Sequence, residues 1–593
     1  MDTILGIDLG TTNSVVSIIR DGDVVVLEED GLKTLPSVVG LDPTGKLLVG
    51  LPALNQYVLA PDRTIRSIKR KMGSDKTVQL GDQAYSPQEI SAIILRTLKE
   101  RATRQIGQEI KKAVITVPAL FNEQQREATR EAGELAGLDV VRIINEPTAA
   151  SLTYNPNPDQ LERLLVYDLG GGTFDVSIVQ IEKGVVEVLS SHGDTQLGGD
   201  DFDQLLMDFV CDKFQHDNQV DLRESPTSKS RVLKTVEEAK KQLSFDAFTS
   251  IQQEFIAEKA GVPLHLNMEI SRQDYEPLIE ALLNKTLVCV DEALSDAKLT
   301  ARQIDRAILV GGASRTPLVH RLLQEQLGQP IHAEVDPDLC VSMGAAIQGG
   351  LVAGLDLGPV LVDITPHTLG VQCIGDLNGF KSVFCFAPII ERNTALPASR
   401  SEVFLTAHDS QDAVRINVFQ GEDRDVRHNE PIGSFDLEGL ADAKQGNEIL
   451  VQFDLDLDGI LTVAAKEKLT GLEERLTFEN AMSRFRGENR ESAKTRLEAA
   501  FTGAEIATAD PLQKSAADPD EDLSPESREV TDKANELLAQ ANRLVANANE
   551  QDAEEMRELM DQLRGAIQAR SPDDIQDVSA KLDDLVFYLQ EAT

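Results

Sequence analysis

A chain of 593 residues is too long for one hydrophobic core, and a 41% hydrophobic content can supply several. The formal net charge of −41 argues against nucleic acid and anionic membrane as partners, because gripping a phosphate-rich surface depends on clustered Lys and Arg. Five scattered cysteines (Cys211, Cys289, Cys340, Cys373, Cys385) lack a metal-ligand spacing and fit a reducing compartment better than a disulfide framework, and the eight histidines form no ligand cluster. No basic leader precedes the first strand and no uncharged run reaches ~18 residues, so a cytoplasmic location without a membrane span is expected.

The stretch Ile4-Leu-Gly-Ile-Asp-Leu-Gly-Thr-Thr12 reads as an apolar strand entering an Asp-Leu-Gly turn, with 15–19 as the returning strand. Residues 113–118 spell another strand, and 123–137 a polar helix closed by Gly137. The opening unit recurs at Leu164-Leu-Val-Tyr-Asp-Leu-Gly-Gly-Gly-Thr173 followed by 176–179, which puts Asp8 and Asp168 160 residues apart. One such turn is an ordinary hairpin. Two of them, each between apolar strands, point to homologous half-domains presenting phosphate-facing hairpins to a shared cleft. Glycines let backbone N–H groups approach phosphate oxygens, and Thr11, Thr12 and Thr173 add hydroxyl donors. Carboxylates beside a triphosphate would repel it unless a hard cation lay between, so Asp8 and Asp168 predict Mg²⁺ held largely through water. A third glycine turn at Ala307-Ile-Leu-Val-Gly-Gly-Ala-Ser-Arg-Thr316 again leads a strand into a helix, and the strand–helix alternation to about 355 predicts an α/β domain.

Beyond Gly358-Pro359 the pattern changes. The run 360–362 is a short apolar link, and strands at 403–406, 414–419, 449–453 and 460–464, with Asp458-Gly459 as a hairpin turn, predict an antiparallel β-domain. Residues 502–523, rich in Ala, Asp and Pro, predict a flexible linker. Three amphipathic stripes within 524–593 predict a three-helix bundle, with Ser524-Pro525 and Ser571-Pro572 as helix starts.

Four motifs carry a family resemblance: Gly6-Ile-Asp-Leu-Gly-Thr-Thr-Asn-Ser14, Arg142-Ile-Ile-Asn-Glu-Pro-Thr-Ala-Ala150, Asp168-Leu-Gly-Gly-Gly-Thr-Phe-Asp-Val-Ser177 and Gly311-Gly-Ala-Ser-Arg-Thr316. The chain resembles the heat-shock protein 70 chaperones of the bacterial DnaK type along nearly its whole length. The resemblance implies a multidomain protein: an actin-like α/β ATPase domain over 1–355, a linker over 356–363, an antiparallel β-sandwich peptide-binding domain over 364–480, a degenerate lid start and acidic linker over 481–523, and a C-terminal α-helical lid over 524–593.

It further implies an ATP/ADP site with Mg²⁺ and K⁺. Gly10, Thr11, Thr12, Asn13, Gly170, Gly171, Gly172, Gly198 and Gly199 would cradle the phosphates, and Asp8, Asp168 and Asp175 would position hydrated cations. Lys69 and Glu146 would act on the attacking water and the transferring phosphoryl, in a catalytic set with Asp8, Asp168 and Thr173. Adenosine would meet Glu237, Lys240, Lys241 and Ser244, four residues on one helical face, together with Gly311, Gly312, Arg315 and Asp338; Arg315 would stack on the base. Extended aliphatic-rich peptides would occupy a pocket of Leu369, Val371, Phe404, Val414 and Ile416, arched over by Ile374 and Ala407. Pro118, Arg126 and Leu361 would relay the nucleotide state between domains, and Arg142, Asn145 and Asp363 would receive a J-domain co-chaperone. Unfolded polypeptides, that co-chaperone and a GrpE-like exchange factor are the implied partners.

The sequence also departs from the family pattern. Gln196 stands where histidine is usual, the linker carries Pro359, the arch segment 374–386 is long and aromatic, and 482–501 matches the first lid helix poorly. Proline cannot donate the backbone hydrogen bond of an added strand, and the other departures predict a reshaped peptide selectivity and a more loosely tethered lid with faster peptide exchange. An ATP-binding relative serving as nucleotide-exchange or holdase partner of another chaperone is the alternative reading. A sugar kinase or actin-like filament protein is a third, which leaves the β-domain and lid unexplained.

Overall fold

The computed structural model describes residues 2–154, 160–329, 331, 336–357, 360–377, 379–457, 459–477 and 488–502, together with six isolated positions near the C-terminus. The chain divides into two compact units, Met1–Ile506 and Ala507–Thr593.

The first lobe is built from β1 (Ile4–Asp8), β2 (Asn13–Arg20), β3 (Asp23–Val26), α1 (Pro87–Ile106), β4 (Lys112–Val117), α2 (Glu123–Leu135), β5 (Asp139–Asn145) and α3 (Glu146–Leu152). Its sheet runs β5-β4-β1-β2-β3, parallel from β5 to β1 and antiparallel across the β1–β2 hairpin. The second lobe repeats that plan with β6 (Glu162–Leu169), β7 (Phe174–Glu182), β8 (Val185–Asp194), α4 (Gly199–Asn218), α5 (Pro226–Leu243), α6 (Arg272–Asp296), β9 (Arg306–Val310), α7 (Cys340–Val352) and β10 (Val360–Val362). Its sheet runs β9-β6-β7-β8-β10, so the repeated Asp-Leu-Gly units occupy equivalent central hairpins. Both central strands are buried on both faces, which is why they read as continuous apolar runs rather than alternating ones.

α1 and α2 begin with reciprocal capping boxes, Ser86 with Glu89 and Asn122 with Gln125, which satisfy backbone N–H groups that an open helix start would leave unpaired. Helices α3 and α7 pack between the lobes in a core shared by Ile4, Val114, Ile144, Ala149, Val166, Ile308 and Val341. Gly344 makes that crossing possible: a Cβ there would lie 1.7 Å from the Ala149 carbonyl oxygen.

A sandwich of two antiparallel sheets follows, formed by β11 (Leu369–Leu377), β12 (Phe380–Ile390), β13 (Ala398–Leu405), β14 (Ala413–Gln420), β15 (Glu430–Glu438), β16 (Glu448–Leu455), β17 (Leu461–Glu467) and β18 (Glu473–Thr477). One sheet runs β12-β11-β14-β15 and the other β13-β16-β17-β18. Predicted strands 403–406, 414–419, 449–453 and 460–464 fall on β13, β14, β16 and β17, each of which is longer than its apolar core suggested. Polar strand ends continue the ladder beyond the residues that carry the hydrophobic signal.

Residues Glu488–Thr502 form a regular helix, α8, within the segment read as a degenerate lid start. Ala493 and Leu497, spaced by four, are buried in the first lobe's core with Phe501 packed beside them. That short stripe is the signal the motif comparison overlooked. In the second unit, Leu563 and Leu582 are helical and buried, and both belong to predicted apolar stripes. The remainder of 503–593, Pro359 and Asp458 lie outside the described residues. Among the described residues, no helix is long and apolar enough to cross a membrane.

Candidate functional site

Between the lobes lies a cleft of about 420 Å³. Of the residues predicted for nucleotide, cation and catalysis, Asp8, Gly10, Thr11, Thr12, Asn13, Lys69, Glu146, Asp168, Gly170, Gly171, Thr173, Gly199, Glu237, Lys240, Lys241, Ser244, Gly311, Gly312, Arg315 and Asp338 all line it. Gly172, Asp175 and Gly198 stand behind that lining. The Gly172 carbonyl accepts from Arg70 Nε at 3.0 Å, and a Cβ at Gly198 would lie 2.6 Å from the Gly171 carbonyl, so the two glycine turns interlock through bare backbone. The sequence reading missed Thr34, Asp200, Asp203, Phe245, Ala313, Thr316 and Pro337, which also line the cleft. Several of them directly follow residues that were named.

At the cleft floor, Lys69 on the short 3₁₀ turn Ile68–Lys71 pairs with Glu146 at the start of α3; both side chains are almost fully buried. Around them stand three carboxylates. Burial raises Asp8 to about 7, with Glu146 adding to the rise and Lys69 and the Thr116 hydroxyl, which donates to Oδ1 at 3.2 Å, opposing it. Burial raises Asp175 to about 8 although the Leu120 N–H donates to it at 3.3 Å, and Asp168 is raised well above the usual range by burial, Glu146, Asp175 and Asp8. Thr12 Oγ1 and Asp175 Oδ2 are buried without a hydrogen-bond partner. No group of three or more carboxylate, thiol or imidazole side chains among the described residues is gathered closely enough to hold a bare metal ion. A cation retaining its own water would fit this set, since it relieves the mutual repulsion without direct contacts.

The sign of the resulting pH dependence follows from linkage. In the cation-free native state these acids keep protons that an unfolded chain releases in the ordinary carboxylate range, so their stabilising contribution is complete in acid and fades as pH rises toward about 7 and 8. A bound cation needs the deprotonated forms. Thermal stabilisation by added Mg²⁺ is therefore expected to grow from pH 6 to pH 8, and scanning calorimetry with and without the cation at both values checks it; a pH-independent increment would contradict it.

Farther out, Glu237 receives Arg66 and Lys241 at 2.7 Å each, and although burial opposes it, these cations hold its carboxyl at about 2. Lys240 pairs with Asp203 and donates to the Gly199 carbonyl at 2.9 Å. Arg315 is held by Asp338 at 2.7 Å and Asp336 at 3.3 Å. Gln196 folds back, its N–H on Asp194 at 2.8 Å and its amide on the Arg70 carbonyl at 3.4 Å.

A second constellation joins lobes and sandwich. β10 pairs in parallel with β8, Leu361 opposite Val186, so pairing begins immediately after Pro359. Buried Asp363 accepts both Asn145 Nδ2 contacts at 3.2 Å, the Thr148 hydroxyl at 3.4 Å and the Ile364 N–H at 2.9 Å, while Arg126 donates to Asn145 Oδ1. Pro118 accepts the Phe121 N–H at 3.2 Å, and Arg142 reaches the Leu457 carbonyl at 3.4 Å. His367 with the Leu120 carbonyl at 3.0 Å, and Asp296 with Arg392 and Asn393 at 2.9 Å, complete the junction and were not anticipated.

In the sandwich, Leu369, Val371 and Ile416 are buried in one core against which Phe404 and Val414 pack. Ile374 is 49% exposed, and Ala407 is half-buried with its N–H on Gln411 at 2.9 Å.

Two lobes repeating one plan around a cleft of glycine turns and carboxylates, joined to a β-sandwich through a strand added to the second lobe's sheet, define a two-lobed protein with an appended β-sandwich. Comparison with known proteins sharpens the class. The family model described as Hsp70 protein matches residues 4–79 and 74–593. The chaperone proteins DnaK of Thermotoga petrophila, Thermotoga maritima and Thermotoga neapolitana are each 47% identical over 482 residues, covering 80% of this chain and 80% of each relative. The chain belongs to the Hsp70 family, and as a member it is an ATP-dependent chaperone whose enzymatic activity is ATP hydrolysis.

Proposed function

We propose that the interlobe cleft hydrolyses ATP to set the affinity of the sandwich for extended hydrophobic segments of unfolded proteins. The observation that carries this reading is the junction: β10 added to the second lobe's sheet, with Asp363 clasped by Asn145 one residue before catalytic-set Glu146. A change at Glu146 has one peptide bond to travel to reach the clasp.

In this reading Gly10 to Asn13, Gly170 to Gly172, Gly198 and Gly199 meet the phosphates, and the orphaned Thr12 hydroxyl donates to one of their oxygens. Asp8, Asp168 and Asp175 would hold a hydrated Mg²⁺ with an accompanying K⁺, and the bound cations would supply charge neutralisation for the phosphoryl group. Lys69 orients the attacking water and stabilises the developing charge, and Glu146 fixes the Lys69 ammonium. Glu237, Lys240, Lys241, Ser244, Gly311, Gly312, Arg315 and Asp338 hold the nucleoside. Leu369, Val371, Phe404, Val414 and Ile416, with Ile374 and Ala407 at the arch, receive the peptide.

A J-domain co-chaperone at Arg142, Asn145 and Asp363 would act on the clasp itself, and a GrpE-like factor would restore ATP in the cytoplasm. Completeness of the hydrolytic set gives the exchange-partner alternative no support. ATP turnover measured alone, with an unfolded aliphatic-rich peptide and with a J-domain protein tests the cycle: both additions are expected to accelerate turnover, and stimulation by neither would overturn it.

A further inference from the structure

Strands β11 and β12 form a long antiparallel ribbon in which Cys373 stands directly opposite Cys385. Opposed residues of such a pair share one face, with Cα atoms about 4.5 to 5.5 Å apart. That spacing lies within the roughly 4.4 to 6.8 Å that a disulfide spans. Both are free thiols, and Cys385 Sγ donates weakly to the Ser382 carbonyl at 3.6 Å. The other three cysteines lie on α4, α6 and α7 of the ATPase lobes, away from the sandwich.

The position of the pair gives it a consequence. The regular ladder breaks immediately after Cys373, where the register shifts before Gly375 resumes pairing with Ser382. Beyond that break the ribbon tip exposes Ile374, Phe380, Val383 and Phe384. Cys373–Cys385 is therefore the last regular rung before an apolar tip that includes the arch residue Ile374. Cys373 is only half-buried and open to a small oxidant, whereas Cys385 is buried behind it.

We propose that Cys373 and Cys385 form a reversible cross-strand disulfide, made by hydroperoxides and undone by dithiols, that locks the ribbon tip beside the peptide cleft. The effect on peptides rests on the cleft reading above; the bond itself does not. The Cys373 thiolate attacks a peroxide oxygen, giving a sulfenic acid and one water; the Cys385 sulfur then displaces the second oxygen as water. Two thiols lose two electrons and two protons, and the peroxide becomes two waters. Burial and the neighbouring Cys385 raise the Cys373 thiol above its ordinary value, so the reaction runs faster in mild alkali.

The test treats the full chain with hydrogen peroxide, digests it with trypsin, which cuts after the intervening Lys381, and with an Asp-directed protease, which separates Cys373 from Cys340 at Asp356 and Asp363, and maps linked fragments by mass spectrometry. A linked 373–385 pair, two hydrogens lighter and released by dithiothreitol, is expected; two thiols still open to alkylation would overturn the bond. Dissociation of a fluorescent aliphatic peptide is expected to slow severalfold on oxidation, to recover on reduction, and to show no response in Cys373→Ser or Cys385→Ser. A linked pair with unchanged peptide release would overturn the lock. Absence of peptide binding even in the reduced wild type would instead indict the cleft reading, with the bond still scored by mass.

Discussion

Lys69→Ala is expected to lower kcat for ATP hydrolysis by roughly 10²- to 10³-fold, the scale on which a single preorganised charge acts on a developing oxyanion. Nucleotide binding is expected to persist, because the glycine turns and the nucleoside residues are untouched. Lys69 is 3% exposed and faces Glu146, so its ammonium is desolvated and held at one spot before any substrate arrives. Removing it also leaves the buried Glu146 without its counter-charge beside Asp8, Asp168 and Asp175. Stopped-flow binding of a fluorescent ADP analogue and single-turnover hydrolysis separate the two effects; near-normal turnover would refute the role given to Lys69.

The second large effect concerns α8. Glu89 is fully buried at the start of α1; its Oε1 receives Arg496 Nε at 2.9 Å and Nη2 at 2.7 Å, and its Oε2 caps Ser86. Ala493 and Leu497 sit in the lobe's core, and the Arg96 guanidinium lies 4.2 Å over the Phe501 ring. Arg496→Met keeps the stem's packing but strands a buried carboxylate, which costs about 3 to 5 kcal/mol of docking free energy. Amide hydrogen exchange in α8 is expected to accelerate by roughly a hundredfold to several thousandfold, at tenfold per ~1.4 kcal/mol. Adding Glu89→Gln removes the stranded charge while retaining a capping side chain, and is expected to recover much of the protection. Unchanged exchange in the single variant would show that the ion pair does not hold the helix.

Much of this protein is legible along the chain. Repeated Asp-Leu-Gly units, strand–helix alternation, alternating strands after 360 and the glycine-rich turns are properties of contiguous segments, fixed by backbone sterics and by which side chains seek burial. The residues that the resemblance named for the nucleotide mostly line the cleft between the lobes. α8 was harder to see, because Ala493, Leu497 and Phe501 make only a thin stripe in an otherwise polar segment.

The pairing of distant polar groups is a different matter. Glu89 with Arg496, Asn145 with Asp363 and Asp296 with Arg392 join residues 407, 218 and 96 positions apart. In the linear chain each is one more solvated Asp, Glu, Asn or Arg among 99 acidic and 58 basic residues. Only folding strips their water, and a desolvated polar group that lacks a partner costs so much that the tertiary structure must supply one. Local chemistry therefore settles the strands, turns and the glycines that line the cleft, while long-range burial settles which charges are coupled, and with them how the cleft, the linker and α8 are tied together.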